Sequence, residues 1–79
     1  MIYLGDNMKD LKEKIGLKLF QLRQSKNISR QQLAIQIGLS VNSIMAIENG
    51  NSLPTIITLK KYLYYFDYTL EDFFKSIGE

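Results

Sequence analysis

The chain has 79 residues, 46% of them hydrophobic, and a formal net charge of +2 at pH 7, which together allow one domain with one small core. It contains no cysteine and no histidine, so disulfides, thiolate metal sites and the commonest general base are excluded, and we expect no metal or cofactor. No stretch approaches the roughly 20 apolar residues of a membrane span, and the N-terminus lacks a secretory signal, so we expect a cytoplasmic protein with no membrane partner.

The N-terminal third is predicted to form an arm followed by a long helix. Residues 1–7 form the arm, which is either a frayed tail or a segment that packs on its own domain or on a partner subunit. Asp6 or Asn7 is expected to cap helix one. Helix one is predicted from Met8 to Ser25, because its apolar residues recur on one face. These residues are Met8, Leu11, Ile15, Leu19 and Leu22.

Residues 29–48 predict two short helices joined by a tight turn. Ser29 can cap the first helix and forms a capping box with Gln32. Gly38 supplies a left-handed residue at the end of that helix, and Ser40 can cap the second. Helices below roughly 12–15 residues are marginal in isolation, so both must dock on the rest of the domain. The inward positions are Leu33, Ala34, Ile37, Ile44 and Ile47.

The outer face of the second short helix carries mostly short side chains, as a helix lying in a DNA major groove requires. Asn42 is the best candidate for reading a base, because an amide can form two hydrogen bonds with adenine. Val41, Met45 and Ala46 could contact thymine methyl groups. The alternative for each of them is an exposed helix residue that contacts nothing. Ser40 and Ser43 are interpreted as helix caps and phosphate ligands.

The segment 49–54 is a loop by composition, and Gly50 is expected to supply a positive φ after the second short helix. Asn49 and Asn51 could donate hydrogen bonds to phosphates or merely form Asx-turns.

The C-terminal third predicts two more helices. Thr55 caps helix four, Ile56–Phe66, in which Ile56, Leu59, Tyr62, Leu63 and Phe66 are expected to face inward. Thr69 and Asp72 open helix five, Leu70–Ser76, and residues 77–79 form a short tail. The run from Tyr62 to Tyr68 is unusually aromatic, so some of its side chains must lie at the surface. Surface tyrosines need no explanation, but they are also enriched in interfaces, and we favour a homodimer patch.

These motifs together resemble the helix-turn-helix of the Cro/phage-repressor (XRE-like) family over about residues 11–74. The resemblance implies an all-α fold, a compact lambda-repressor-like DNA-binding domain of five helices. Helices two and three form the helix-turn-helix, and the single domain spans residues 1–79. It rests on Ile15-Gly16, Leu19, Leu22-Arg23, Ser29, Leu33-Ala34, Gly38-Leu39-Ser40, Ile44, Ile47-Glu48-Asn49-Gly50, Pro54, Leu59, Phe66, Leu70 and Phe73-Phe74.

The resemblance also implies roles for individual residues. Glu48 lies at a helix C-terminus, where the dipole disfavours a carboxylate, and in this family a matching arginine, here Arg23, pairs with it. Arg30 occupies the position of a phosphate-binding glutamine and is expected to contact the DNA backbone, together with Ser29 and Gln31. Relatives commonly dimerise through the C-terminal half, for which the candidates are Ile57, Tyr64, Tyr65, Tyr68 and Phe74.

The sequence therefore predicts a sequence-specific regulator of transcription that binds double-stranded DNA as a homodimer. Its recognition helices would enter successive major grooves, about 34 Å apart, of a partly palindromic operator. Restriction–modification controllers, phage or plasmid repressors and some antitoxins all fit this pattern. The alternative is a protein–protein interaction module of the same fold with little specific DNA binding, which the modest charge slightly favours. No enzyme activity and no small-molecule ligand are predicted.

Overall fold

The computed structural model describes residues 4–79, with side chains from residue 8 onward, and contains no β-strand within that range. The predicted all-α fold of five helices is confirmed. The helices are α1 (Leu4–Ser25), α2 (Arg30–Ile37), α3 (Val41–Glu48), α4 (Ile56–Phe66) and α5 (Leu70–Ser76).

The first helix begins four residues earlier than its sequence indicates. Residues 4–7 were assigned to an arm that ends in a cap at Asp6 or Asn7, but the helix already begins at Leu4, so this boundary is wrong. Gly5, Asp6 and Asn7 have low helix propensity. Adding residues to an existing helix costs far less than starting one, and the long helix that follows extends through them. The remaining residues of the predicted arm, 1–3, lie outside the described part of the chain.

Side-chain caps fix the start of α2, as predicted. The backbone N–H of Gln32 donates to Ser29 Oγ at 3.0 Å, and the Ser29 N–H donates to Gln32 Oε1 at 2.8 Å. Gly38 ends the helix with a φ of +70°, which a residue with a side chain adopts only at a cost.

The same device starts the other three short helices. Ser40, Thr55 and Thr69 each accept a hydrogen bond from the backbone N–H three residues later, at 3.0–3.1 Å. These caps explain why the predicted ranges of α4 and α5 agree with the structure.

All five helices contribute to one hydrophobic core. Its buried members include Ile15 and Leu19 from α1, Leu33, Ala34 and Ile37 from α2, Ile44 and Ile47 from α3, Leu59, Tyr62, Leu63 and Phe66 from α4, and Phe73 from α5. Met8 and Ile56, which were predicted to face inward, are 45% and 59% exposed.

The backbones of α1 and α3 approach each other closely at Gly16, which is buried. A Cβ atom at this position would overlap the Ile47 carbonyl oxygen and would also lie 2.9 Å from the Glu48 carbonyl oxygen, well inside van der Waals contact. Glycine is therefore required here for α3 to reach its place against α1.

The last residues are held against the first helix. The N–H of Glu79 donates to the Phe74 carbonyl at 2.8 Å, and the Glu79 carboxylate accepts a hydrogen bond from Lys14 Nζ at 2.8 Å. Ile77 is half-buried against the core. Within residues 4–79, none of the helices combines the length and the apolar character needed to cross a membrane.

Candidate nucleic-acid interface

One side of α3 is packed on the domain and the other is exposed. Ile44, Ile47 and Glu48 are buried, whereas Asn42 is exposed and Met45 is 39% exposed. Val41 and Ala46, the other two predicted base readers, are half-buried at the edges of this exposed face. The helix thus presents an amide and small or flexible apolar groups on a rigid support.

The start of α2 lies beside the start of α3. Gln31 and Val41 line the same shallow depression, which joins the two helices at the surface. The hydroxyl oxygens of Ser29 and Ser40 already accept backbone hydrogen bonds as helix caps. Ser40 Oγ also donates to Ser43 Oγ at 2.9 Å, which leaves the Ser43 hydroxyl proton free for an external acceptor.

The loop after α3 turns back onto that helix. The carbonyl of Ala46 accepts hydrogen bonds from the N–H groups of Asn51 at 2.9 Å and Ser52 at 3.2 Å. Gly50 has a φ of +77°, the positive value that the sequence predicts. Asn49 and Asn51 are both exposed, and neither side chain forms a hydrogen bond with another residue of the described chain. Their amides are therefore free to bind an external group.

Arg23 and Glu48 form a buried ion pair between α1 and α3. Arg23 Nε donates to Glu48 Oε2 at 2.7 Å, and Nη2 donates to Oε1 at 3.1 Å. The remaining terminal nitrogen, Nη1, donates to the Ile28 carbonyl at 2.9 Å. A buried charge is tolerated when it is paired and its hydrogen bonds are satisfied. The pair therefore fixes the C-terminal end of α3 against α1.

Sequence reasoning missed a third member of this ion cluster. Arg30, predicted only as a DNA backbone ligand, donates from Nε to Glu48 Oε1 at 3.0 Å. The two residues are 18 positions apart and no periodic pattern connects them. The signal present was the departure from the family at this position, where arginine replaces a glutamine.

Tyr62 lies next to the ion cluster with its side chain fully buried. No group of the described chain forms a hydrogen bond with its hydroxyl. Burial raises the pKa of the Tyr62 phenol above its usual range, and the negative charge of Glu48 raises it further. This polar atom in the core was also missed by sequence reasoning.

The candidate dimer residues fall into two groups. Ile57 and Tyr64 project from α4 and are 72% and 91% exposed. Tyr65, Tyr68 and Phe74 are only half-buried but pack against the core. Lysines cover two of these rings, since Lys26 Nζ lies 5.2 Å from the centroid of Tyr65 and Lys18 Nζ lies 5.6 Å from that of Tyr68.

The chemistry of the α2–α3 surface is that of hydrogen bonding and not of metal binding. Its polar groups are amides, hydroxyls and one guanidinium, which can donate to phosphates and base edges. Among the residues that the structure describes, no three acidic, histidine or cysteine side chains lie close enough to hold a metal ion.

Comparisons with known proteins agree with this geometry. Residues 16–79 match a family described as "Helix-turn-helix domain", and this range includes all of α2 and α3. The chain is also similar to "Control protein C.MunI" from Mycoplasma sp, with 34% identity over 71 residues that cover 89% of this chain and 96% of that protein. Both findings confirm the resemblance that the sequence motifs carry. The chain belongs to the XRE-like helix-turn-helix family.

Proposed function

We propose that this protein, a DNA-binding regulator by its family, acts as a symmetric homodimer that inserts α3 of each copy into the major groove of a partly palindromic operator. The observation that carries the proposal is the exposed face of α3, which offers Asn42 and Met45 on a helix held rigidly by its buried side. Nothing on that face is long enough to keep the helix out of a groove about 12 Å wide.

In this proposal four residues read bases. The exposed amide of Asn42 forms two hydrogen bonds with an adenine edge, and Val41, Met45 and Ala46 contact thymine methyl groups. The half-burial of Val41 and Ala46 limits how far they reach, so they act at the edges of the contact.

The remaining contacts are with the DNA backbone. With a net charge of only +2, the protein has little surplus positive charge to attract phosphates. Neutral donors therefore contribute a large share of these contacts, through the exposed hydroxyls and amides at the starts of α2 and α3 and in the loop after α3. The residues proposed to contact the DNA backbone are charged Arg30 and the neutral Ser29, Gln31, Ser40, Ser43, Asn49 and Asn51.

The similarity to a protein named a control protein supports promoter control as the biological role. In this proposal regulation follows from occupancy of the operator, which blocks or recruits polymerase. A controller of this kind fits better than an antitoxin, whose action depends on a second protein.

The test is selection from a random-sequence DNA pool at physiological salt, followed by sequencing of the bound duplexes. We expect an enriched motif with two related half-sites whose centres lie about one helical turn apart. A single half-site would retain DNA binding and overturn the dimer. No enrichment, with weak and equal binding to every duplex, would overturn the proposal in favour of a protein-interaction module.

Titration of Asn42→Ala against the enriched motif and against a random duplex tests base reading directly. We expect binding to the enriched motif to weaken by roughly 1–3 kcal/mol while binding to random duplex barely changes, because only a base contact depends on sequence. Equal weakening on both duplexes would show that Asn42 does not read a base.

A further inference from the structure

The carboxylate of Glu48 accepts hydrogen bonds from two arginines, and only one of them is needed to neutralise it. We propose that Glu48 positions the second, Arg30, as a ligand for a DNA phosphate. This inference rests on the proposed function, since it assigns one backbone contact of the same interface. Glu48 is in this view a positioning residue, because it acts on DNA only through Arg30.

The charges of the cluster are arranged from the inside outward. The Glu48 side chain is 1% exposed, that of Arg23 is 10% exposed and that of Arg30 is 34% exposed. Two guanidinium groups and one carboxylate leave one positive charge unneutralised. Because Arg23 is enclosed with Glu48, this surplus charge is carried at the surface by Arg30.

The hydrogen bonds leave the outer part of Arg30 available. Its Nε–H is the donor used for Glu48, at 3.0 Å. Neither of its terminal nitrogens donates to any side chain or carbonyl of the described chain. A guanidinium held at Nε keeps its terminal N–H groups in a fixed plane, and phosphate oxygens accept from such a fork in a bidentate manner.

Positioning of this kind strengthens binding by reducing the conformational freedom that binding removes. A free arginine on a surface loses rotamer entropy when it binds a phosphate, and this loss weakens binding. Arg30 is the first residue of α2 and lies next to the other proposed backbone ligands, Ser29 and Gln31. Its contact with Glu48 already holds it in place. The glutamine that relatives carry at this position has no charge and cannot form both contacts in this way.

Lysine at position 30 separates positioning from charge. Arg30→Lys keeps the positive charge, but one ammonium nitrogen must then serve both Glu48 and the phosphate, whereas arginine presents Nε to Glu48 and a rigid fork of terminal nitrogens to the phosphate. We expect Arg30→Lys to weaken binding about tenfold, the value of a lost charge-assisted hydrogen bond, and by the same factor on the selected operator duplex and on a random duplex. Arg30→Gln should weaken binding at least as much and lower the slope of log affinity against log salt by about one.

A double-mutant cycle tests the part played by Glu48. We expect the weakening of random-duplex binding by Glu48→Gln to be about tenfold larger when Arg30 is present than in Arg30→Gln, where only the loss of the pair with Arg23 remains. If Glu48 serves only to orient α3 through Arg23, its loss would be the same in both backgrounds and the inference fails. Circular dichroism confirms that each variant is folded at the temperature of the titration. If Glu48→Gln unfolds the domain, Arg30→Lys still provides a test, because it leaves the pair of Arg23 with Glu48 intact.

The outcomes distinguish this inference from the proposed function. If Arg30→Lys binds DNA with unaltered affinity, the inference is overturned and the proposed function stands. If Arg30→Lys binds more tightly, the inference is also overturned, because Glu48 would then withhold Arg30 from DNA. Weakening confined to the operator duplex also overturns it, because a phosphate contact does not depend on sequence. If the unmodified protein binds neither duplex, the proposed function and the inference fall together.

Discussion

At the scale of single residues, Tyr62 is the member of the core that the packing explains least. Its ring is fully buried and fills the centre of the domain, yet its hydroxyl forms no hydrogen bond within the described chain. Leaving a buried donor without a partner costs about 1–3 kcal/mol. The ring contributes to stability and the hydroxyl opposes it.

We therefore predict that Tyr62→Phe leaves the free energy of unfolding unchanged or raises it by about 1 kcal/mol, because only the unsatisfied hydroxyl is removed. Urea denaturation near pH 7 measures this directly. A decrease of more than about 1 kcal/mol would show that the hydroxyl has a partner and contributes to stability. Tyr64→Phe is the matched control, since its ring is 91% exposed and its hydroxyl is not in the core.

The pH dependence of the same variant follows from the raised pKa of Tyr62. In the unfolded chain the phenol loses its proton near pH 10, whereas in the folded protein it keeps the proton to higher pH. The folded state then binds more protons than the unfolded state, so stability falls as pH rises above about 10. Tyr62→Phe should reduce this alkaline loss, and Tyr64→Phe should not.

The residue contacts differ in how far sequence could predict them. The pairing of Arg23 with Glu48 follows from the family resemblance, because the two positions belong to its motif. The contact of Arg30 with Glu48 could not be predicted, because a long, flexible side chain reaches its partner across helices and leaves no spacing to detect. The base-reading and phosphate-binding assignments remain predictions, since they concern contacts with DNA.

At the scale of helices, the ends that carry a chemical signal were predicted and the one without such a signal was not. The capping hydroxyls of Ser29, Ser40, Thr55 and Thr69 all occupy their predicted places. The start of α1 depends instead on how far a long helix extends through residues of low propensity. The sequence predicts a cap at Asp6 or Asn7, but the helix passes through both residues to Leu4.

The contact between α1 and α3 leads to a prediction for Gly16→Ala. Alanine gains up to about 1 kcal/mol of helix propensity over glycine. Its Cβ would lie 2.9 Å from the Glu48 carbonyl oxygen, however, and a backbone atom cannot move aside as a side chain can. We expect the clash to prevail and to lower the free energy of unfolding by about 1–3 kcal/mol, measured by urea denaturation.

Gln21→Ala, on the exposed side of the same helix, is the control and should change stability by no more than about 0.5 kcal/mol. A Gly16→Ala variant as stable as the unmodified protein would mean that α3 can move away from α1 at little cost.

At the scale of the whole molecule, the proposed dimer depends on where exposed apolar groups and charges lie. The outer side of α4 carries Ile57 and Tyr64 two turns apart, with Lys60 and Lys61 exposed between them. The neighbouring helix α5 begins with the exposed carboxylates of Glu71 and Asp72. In a two-fold arrangement the combined α4–α5 surface meets its own copy, so basic α4 of one subunit can lie against acidic α5 of the other, and the reverse.

The chain offers a matched pair of substitutions to test this arrangement. Ile57 on α4 is 72% exposed and Ile35 on α2 is 80% exposed, so a glutamate at either position adds the same charge at a similarly open site. If α4 forms the dimer interface, Ile57→Glu should weaken self-association by about tenfold or more, since a carboxylate replaces an apolar group there and must lose its water when the interface forms. Ile35→Glu should leave self-association unchanged, and both variants should unfold at nearly the same urea concentration as the unmodified protein. Sedimentation equilibrium over a range of concentrations measures the dissociation constant.

Dissociation by Ile35→Glu and not by Ile57→Glu would place the interface on α2. That side carries the proposed DNA contacts, so the two recognition helices could not then reach DNA together.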